Sequence, residues 1–312
     1  MTLTLNDCEE IFRRARLSDS EQQFRDIISP LLSEYKILSL DFGRGSIFWR
    51  GRLIEREIYQ NIADLDYPPV EYARQGRMND CGVPCFYVSA RRETAIKEIE
   101  AVEGQMIQLA GFRVKSESPL RLAVIGEYSN VWKSGYMHFV GRDPGMTISK
   151  LLNTMPQNEA LKIIYMDMFF ADILDDLSAS RNEYRLSRAL SKLIYQKTAA
   201  DGIIFPSVKD RGGFNIAVKS EPSDNSFLNV CCLLVKMEKI REYGLIEYSI
   251  LNSAERLDEK RNFVWRTGME AESVGMYNLT KNEADIASGH PDSRNALLHM
   301  LHLYDDNRSE KT

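Results

Sequence analysis

The stretch GRMNDCGVPCFYVSARRETAIKEI, Gly76 to Ile99, sets in succession a basic Gly-Arg turn, a Gly-Pro punctuation, a short aromatic strand and a helix bearing Glu98. Cys85 to Ser89 has the apolar and aromatic composition of a strand, and the spacing predicts a helix from about Glu93 to Val102 that Gly104 ends. On that helix Ala95, Ile99 and Val102 share a face, Glu98 falls at its edge, and Lys97 and Glu100 point away. Glu98 is then a partly desolvated acid. The ordinary alternative for such a residue is to flank a buried face and pair with a Lys or Arg.

Upstream, Phe24, Ile27, Ile28, Leu31 and Leu32 recur on one helical face behind a capping box formed by Ser18 and Glu21. Ile47 to Trp49 begin a strand that ends in Arg50, before the Pro68-Pro69 break. Downstream, Leu109 to Val114 and Leu120 to Ile125 read as strands. An amphipathic helix follows over Asn158 to Leu177, and a second capping box, Ser180 with Glu183, opens another that runs to Ala200. Ile203 to Phe205 and Phe214 to Val218 form a strand pair around Ser207 and the Arg211-Gly212-Gly213 turn, with Lys219 to Ser226 a loop. Leu228 to Lys236 and Leu245 to Leu251 add β character, and the segment around Gly289 and Pro291 reads as a short helix and frayed terminus.

With 44% hydrophobic and 27% charged residues, 312 residues suffice for a real core in one large or two modest domains. A net charge of -5 argues against nonspecific duplex binding, which needs a basic surface to release counterions from phosphate; no nucleic-acid partner is expected. MTLTLNDCEE lacks the pattern of a secretion signal, and the chain has no apolar run of the roughly 18 residues that a bilayer span needs. A cytoplasmic protein without a membrane partner is the expectation. Five cysteines, an odd number with Cys231 and Cys232 adjacent, fit neither a disulfide framework nor zinc, and four histidines complete no metal set. No metal is expected. The run YMDMFF, Tyr165 to Phe170, reads as buried helix packing, and the Gly43-Arg44-Gly45 and Arg211-Gly212-Gly213 turns lack the ending of a phosphate loop.

Gly-Arg-x-Asn at 76 to 79, Phe-Tyr-x-Ser at 86 to 89 with Thr94-Ala95 and Glu98, and Asp201-Gly202 leading to Pro206-Ser207 with Asn215 beyond, occur in this order over residues 46 to 220. The set resembles the RES domain, a family of NAD-degrading bacterial toxins named for an Arg, a Glu and a Ser. The resemblance implies an α+β fold with a split mixed sheet, like the core of diphtheria-toxin-type ADP-ribosyltransferases, and NAD in the cleft. Residues 1–45 would be an N-terminal helical extension and 221–312 an α/β extension packed on the core. Short family toxins are little more than the domain, so the extensions would gate the site, recognise a partner or build a homo-oligomer.

On that footing the catalytic set is Glu98, Arg50, Tyr87 and Ser207, and the substrate-binding set is Arg77, Asn79, Asn215 and Tyr72. NAD is the substrate and no cofactor is implied. Its nicotinamide is already a cationic leaving group, so cleavage of the bond to ribose needs no general acid, and one carboxylate can stabilise the oxocarbenium-like ribose. Arg50, with its planar fork, suits a pyrophosphate, and Arg77 adds a second contact. Asn79 fixes its own turn and Asn215 anchors the loop beyond Ser207. Of the two neighbouring rings, Phe86 and Tyr87, one enters the core and the other faces the cleft; the resemblance selects Tyr87, with Tyr72 as a second ring. Ser207 positions, since no His stands near it in sequence for a nucleophilic triad.

Water as acceptor makes a glycohydrolase and phosphate a phosphorylase. The implied biology is NAD depletion restrained by an antitoxin or another regulatory protein. Two other functions fit the same residues: an ADP-ribosyltransferase acting on a protein or nucleic acid, and a noncatalytic nucleotide-sensing or interaction module.

Overall fold

The computed structural model describes residues 2–42, 46–139, 141–268 and 272–274; the expected terminal helix near Gly289 and the Gly43-Arg44-Gly45 turn lie outside them. The chain opens with helices α1 (Leu5–Arg16) and α2 (Glu21–Glu34), followed by strands β1 (Leu38–Phe42) and β2 (Ile47–Leu53). The stretch Gly76 to Ile99 forms β3 (Cys85–Ser89) and α3 (Arg92–Glu98), and then come β4 (Met106–Val114), β5 (Leu120–Val124) and α4 (Glu127–Ser134). A small hairpin, β6 (Tyr136–Met137) with β7 (Gly141–Arg142), leads to α5 (Thr147–Thr154), α6 (Gln157–Leu174) and α7 (Arg185–Lys197). Strands β8 (Gly202–Pro206) and β9 (Phe214–Lys219), helix α8 (Ser220–Ser226), and strands β10 (Phe227–Ile240), β11 (Ile246–Leu257), β12 (Phe263–Trp265) and β13 (Glu272–Val274) complete it.

One large mixed sheet holds these elements in the order β1-β5-β8-β9-β3-β2-β4-β10-β11-β12, with β13 also on β11. Only β5 and β8 run parallel among the described pairs; the others are antiparallel. The protein is therefore α+β. Its sheet is nearly cut in two, because β2 and β3 share a single register pair, Trp49 with Ser89, whereas β2 pairs with β4 along its whole length. Strand β1 extends the sheet from the N-terminal side, and β10 runs beside β4 from Phe227 to Lys236, so both flanking segments are built into it.

Helix α6, with Met166, Asp167, Phe169 and Phe170 all buried, lies under α1 and α2 on one side of the sheet. There Phe12 stacks on Phe169 at 4.1 Å, and Phe24, Ile28 and Leu31 are fully withdrawn from water. Full burial of each such side chain contributes about 1.5–3 kcal/mol. The YMDMFF run is buried helix packing, as its composition suggests. Asp167 is kept among these rings by Tyr35 Oη at 2.5 Å and by the backbone N–H groups of Gly126 and Ser129 at 2.8 Å.

Four local expectations are corrected. Ser20, not Ser18, caps α2 by accepting from the Gln23 N–H, while Ser18 is buried and donates to the Ala15 carbonyl. Ser180 and Glu183 do not cap α7: they sit in a tight turn before it, and Tyr184 precedes its first residue in a left-handed conformation. Helix α3 stops at Glu98, since Glu100 turns left-handed at φ 52° to send the chain toward β4, and Val102 is exposed. Residues 220 to 226 are helical, with Pro222 in the first turn, where its missing N–H costs nothing.

Candidate active site

Glu98 is the last residue of α3, and its carboxylate is gripped from the sheet. Oε1 accepts from Ser207 Oγ and from Asn215 Nδ2, both at 2.6 Å. Asn215 is itself oriented by Ser89 Oγ, which donates to its Oδ1 at 2.6 Å across the β3–β9 pair. Oε2 has no protein partner among the described residues, so one oxygen is fixed and the other is open.

Ser207 is presented by the turn between β8 and β9. Its Oγ accepts from the Asp210 N–H at 2.9 Å, and its own N–H donates to the Gly213 carbonyl at 2.9 Å. That turn is bolted to α3 by Asp210, which receives Thr94 Oγ1 and Lys97 Nζ, each at 2.6 Å. A Cβ at Gly213 would fall 2.6 Å from Thr94 Oγ1, so only glycine lets the turn approach this closely. Burial raises the Asp210 carboxyl, but the bonds from Lys97 and Thr94 outweigh it and hold the pKa below its ordinary value.

Arg50 occupies the split in the sheet. Its Nη1 donates to the Tyr87 carbonyl at 2.9 Å, its guanidinium lies 5.8 Å from the Phe86 ring centre, and among the described residues no carboxylate pairs with it. Burial pulls its pKa down, with the more distant Asp66 pulling the other way. A partly buried guanidinium without an ion pair has the charge and geometry to take up an anion.

Arg50, Arg77, Tyr87, Glu98 and Asn215 line one cavity of about 650 Å³, and Ser207 stands directly behind Glu98. Phe86 is fully buried and Tyr87 half-buried, so the two rings divide between core and cleft in the expected manner. The Tyr87 hydroxyl is engaged: it donates to Asn79 Oδ1 at 2.7 Å and accepts from the Met78 N–H at 2.9 Å. Burial raises its pKa well above the ordinary value, and its ring is what remains to face the cavity. Asn79 stays out of the cavity and clamps the turn, donating to the carbonyls of Arg74, Asp80 and Val83 at 2.9 Å. Arg77 donates to the carbonyls of Leu174 and Asp176, at 2.9 and 3.2 Å, at the end of α6.

Tyr72 is corrected. It is 72% exposed in a short turn outside the cavity, because the Pro68-Pro69 break carries the chain over the surface before it returns at Gly76.

Sequence reasoning missed Trp49, Gln75, Ser89, Glu100, Ser180, Tyr184 and Lys209, which also line the cavity. Ser89 was within reach, since it ends the Phe-Tyr-x-Ser strand. Lys209 and Glu100 close an ion pair at the mouth; the bond to Glu100 raises the Lys209 pKa, with smaller contributions from Glu98 and Tyr184. Nothing local marks Tyr184. Among the described residues no three His, Cys, Asp or Glu side chains gather as metal ligands, and no helix is long and apolar enough to cross a membrane.

The family model of the RES domain matches residues 48–230, and the chain belongs to that family. No curated protein matches. Among solved structures, the chain is similar to one in the crystal structure of the Mycobacterium tuberculosis MbcT–MbcA toxin–antitoxin complex, at 12% identity and a TM-score of 0.31, over 70% of this chain and 93% of that one.

Proposed function

We propose that the protein cleaves the nicotinamide–ribose bond of NAD, and that Glu98 with its single open oxygen is the group that carries the chemistry. Membership of the RES family supports this reading. So does a cavity lined by both that carboxylate and the unpaired Arg50. In this mechanism the C1′–N bond breaks and its electron pair leaves with neutral nicotinamide. Glu98 Oε2 accepts a hydrogen bond from a ribose hydroxyl and stabilises the cationic ribose by charge. An acceptor then adds to C1′. Water completes a hydrolysis and releases a proton, while inorganic phosphate completes a phosphorolysis.

Arg50 holds the pyrophosphate and Tyr87 packs its ring beside the reacting end. The split between β2 and β3 corresponds in this reading to the NAD cleft of an ADP-ribosyltransferase-like core. The product loss is NAD depletion, which makes the chain a toxin or defence effector acting in the cytoplasm and calls for an antitoxin or other regulatory protein.

The test is nicotinamide release from NAD by the purified chain, with and without phosphate. Glu98→Gln is expected to lower kcat at least a hundredfold, about 3 kcal/mol in the barrier, with little change in KM. Arg50→Ala is expected chiefly to raise KM. Turnover only with an added macromolecular acceptor would favour the ADP-ribosyltransferase, and saturable binding without turnover the sensing module.

A further inference from the structure

We propose that Tyr184 is the stacking platform for the adenine ring of the dinucleotide, an inference that rests on the NAD reading of the same cavity. Four aromatic side chains line this space: Trp49, Tyr87, Phe205 and Tyr184. Trp49 and Phe205 are packed away, and Tyr87 is already assigned to the reacting end. Trp49 is 7% exposed with the Arg92 guanidinium 4.4 Å from its ring centre, Phe205 is 4% exposed, and Tyr87 packs edge-on to Phe205 with its hydroxyl engaged. Tyr184 is half-buried, and among the described residues it touches no other ring and its hydroxyl has no partner.

Its backbone is held at some expense. Glu183 and Tyr184 are consecutive non-glycine residues in the left-handed region, at φ 53° and 56°. The pair is pinned by Gln75 Nε2 on the Glu183 carbonyl at 2.7 Å and by the Tyr184 N–H on the Ala179 carbonyl at 2.8 Å. Strain of this kind persists where the surroundings over-determine it, and here its effect is to aim a ring into the cavity.

The choice between the two bases of NAD follows from charge. The Arg77 guanidinium, anchored by two carbonyls, lies 5.3 Å from the Tyr184 ring centre. A ring that already carries a cation on one face is a poor partner for the cationic nicotinamide and a good one for neutral adenine. Nicotinamide then lies toward Glu98, adenine against Tyr184, and the pyrophosphate between them in reach of Arg50 and Arg77.

The experiment compares the full-length wild type with Tyr184→Ala and Tyr184→Phe in two arms. One is steady-state NAD cleavage; the other is equilibrium binding of AMP and of nicotinamide mononucleotide. Tyr184→Ala is expected to raise KM for NAD and Kd for AMP about tenfold, the size of one lost base stack, with kcat and mononucleotide binding held within about twofold. Tyr184→Phe should match the wild type within about twofold. Unchanged AMP binding in Tyr184→Ala, or a loss confined to kcat or to nicotinamide mononucleotide, would overturn the assignment. A wild type that binds AMP through Tyr184 but never releases nicotinamide sinks the enzyme reading alone, and one that binds neither mononucleotide sinks both.

Discussion

Ser207 donates to the same carboxylate oxygen of Glu98 that Asn215 also holds, at 2.6 Å in each case. A hydroxyl from one turn and an amide from the neighbouring strand thus set a helix-terminal acid in one rotamer. Orientation of the acid is what Ser207 supplies, and among the described residues no histidine lines the cavity to activate it for attack.

Ser207→Ala removes one of these two donors and strips the Asp210 N–H of its acceptor. The expected result is a kcat about tenfold lower and a loss of about 1–2 kcal/mol in stability. Steady-state kinetics with a urea titration of the same sample checks both. A variant with wild-type kcat would mean that Asn215 alone suffices.

Gly76→Ala puts a Cβ 2.5 Å from Asn79 Oδ1 and 2.8 Å from Tyr87 Oη. Both atoms belong to one hydrogen bond, so the clamp that holds the Arg77 turn has to open. A destabilisation of about 1–3 kcal/mol is expected. Because Arg77 travels with the turn, KM for NAD should rise in the surviving folded protein.

Glu127 is fully buried, and both its oxygens accept from the His138 N–H, at 3.0 and 2.8 Å. Burial, with the nearby Asp167 adding to it, raises its pKa to about 7. Between the ordinary carboxyl range and that value the folded chain binds more protons here than the unfolded chain, so this residue's contribution to stability falls as pH rises. Glu127→Gln removes the dependence. The difference in melting temperature, variant minus wild type, should grow from pH 5 to pH 7.5; a flat difference counts against the protonated acid.

Phe24→Ala opens a void at a fully buried position of α2. A loss of about 3–5 kcal/mol is expected, read as a drop in the denaturant midpoint. An effect under 1 kcal/mol would show that α1 and α2 are loosely attached, not part of the core.

The pieces of the site legible in the sequence are those whose meaning is carried by neighbours along the chain. Glu98 belongs to a strand-turn-helix unit, and Ser207 and Asn215 bracket one hairpin turn, so motif order brought them together before any coordinates did. Tyr184 could not be found this way, because its conformation is imposed by Gln75 and Ala179, one of them more than a hundred residues distant. The same holds for the end of α3, where the periodic pattern ran on to Val102 and the need to reach β4 cut it short. Helix α8 was hidden by its composition. SEPSDNS has every mark of a loop, yet α8 packs against β9 and β3, with Ser223 and Ser226 buried.

The long partnership of β10 with β4 has a practical corollary for anyone trimming this chain to its smallest working part. Cutting at residue 220 would lay bare the backbone of β4, whose Ile107, Leu109 and Phe112 lie buried in the intact sheet. An uncovered flank of that length and greasiness invites other molecules to zip onto it, so such a fragment should form aggregates sooner than crystals.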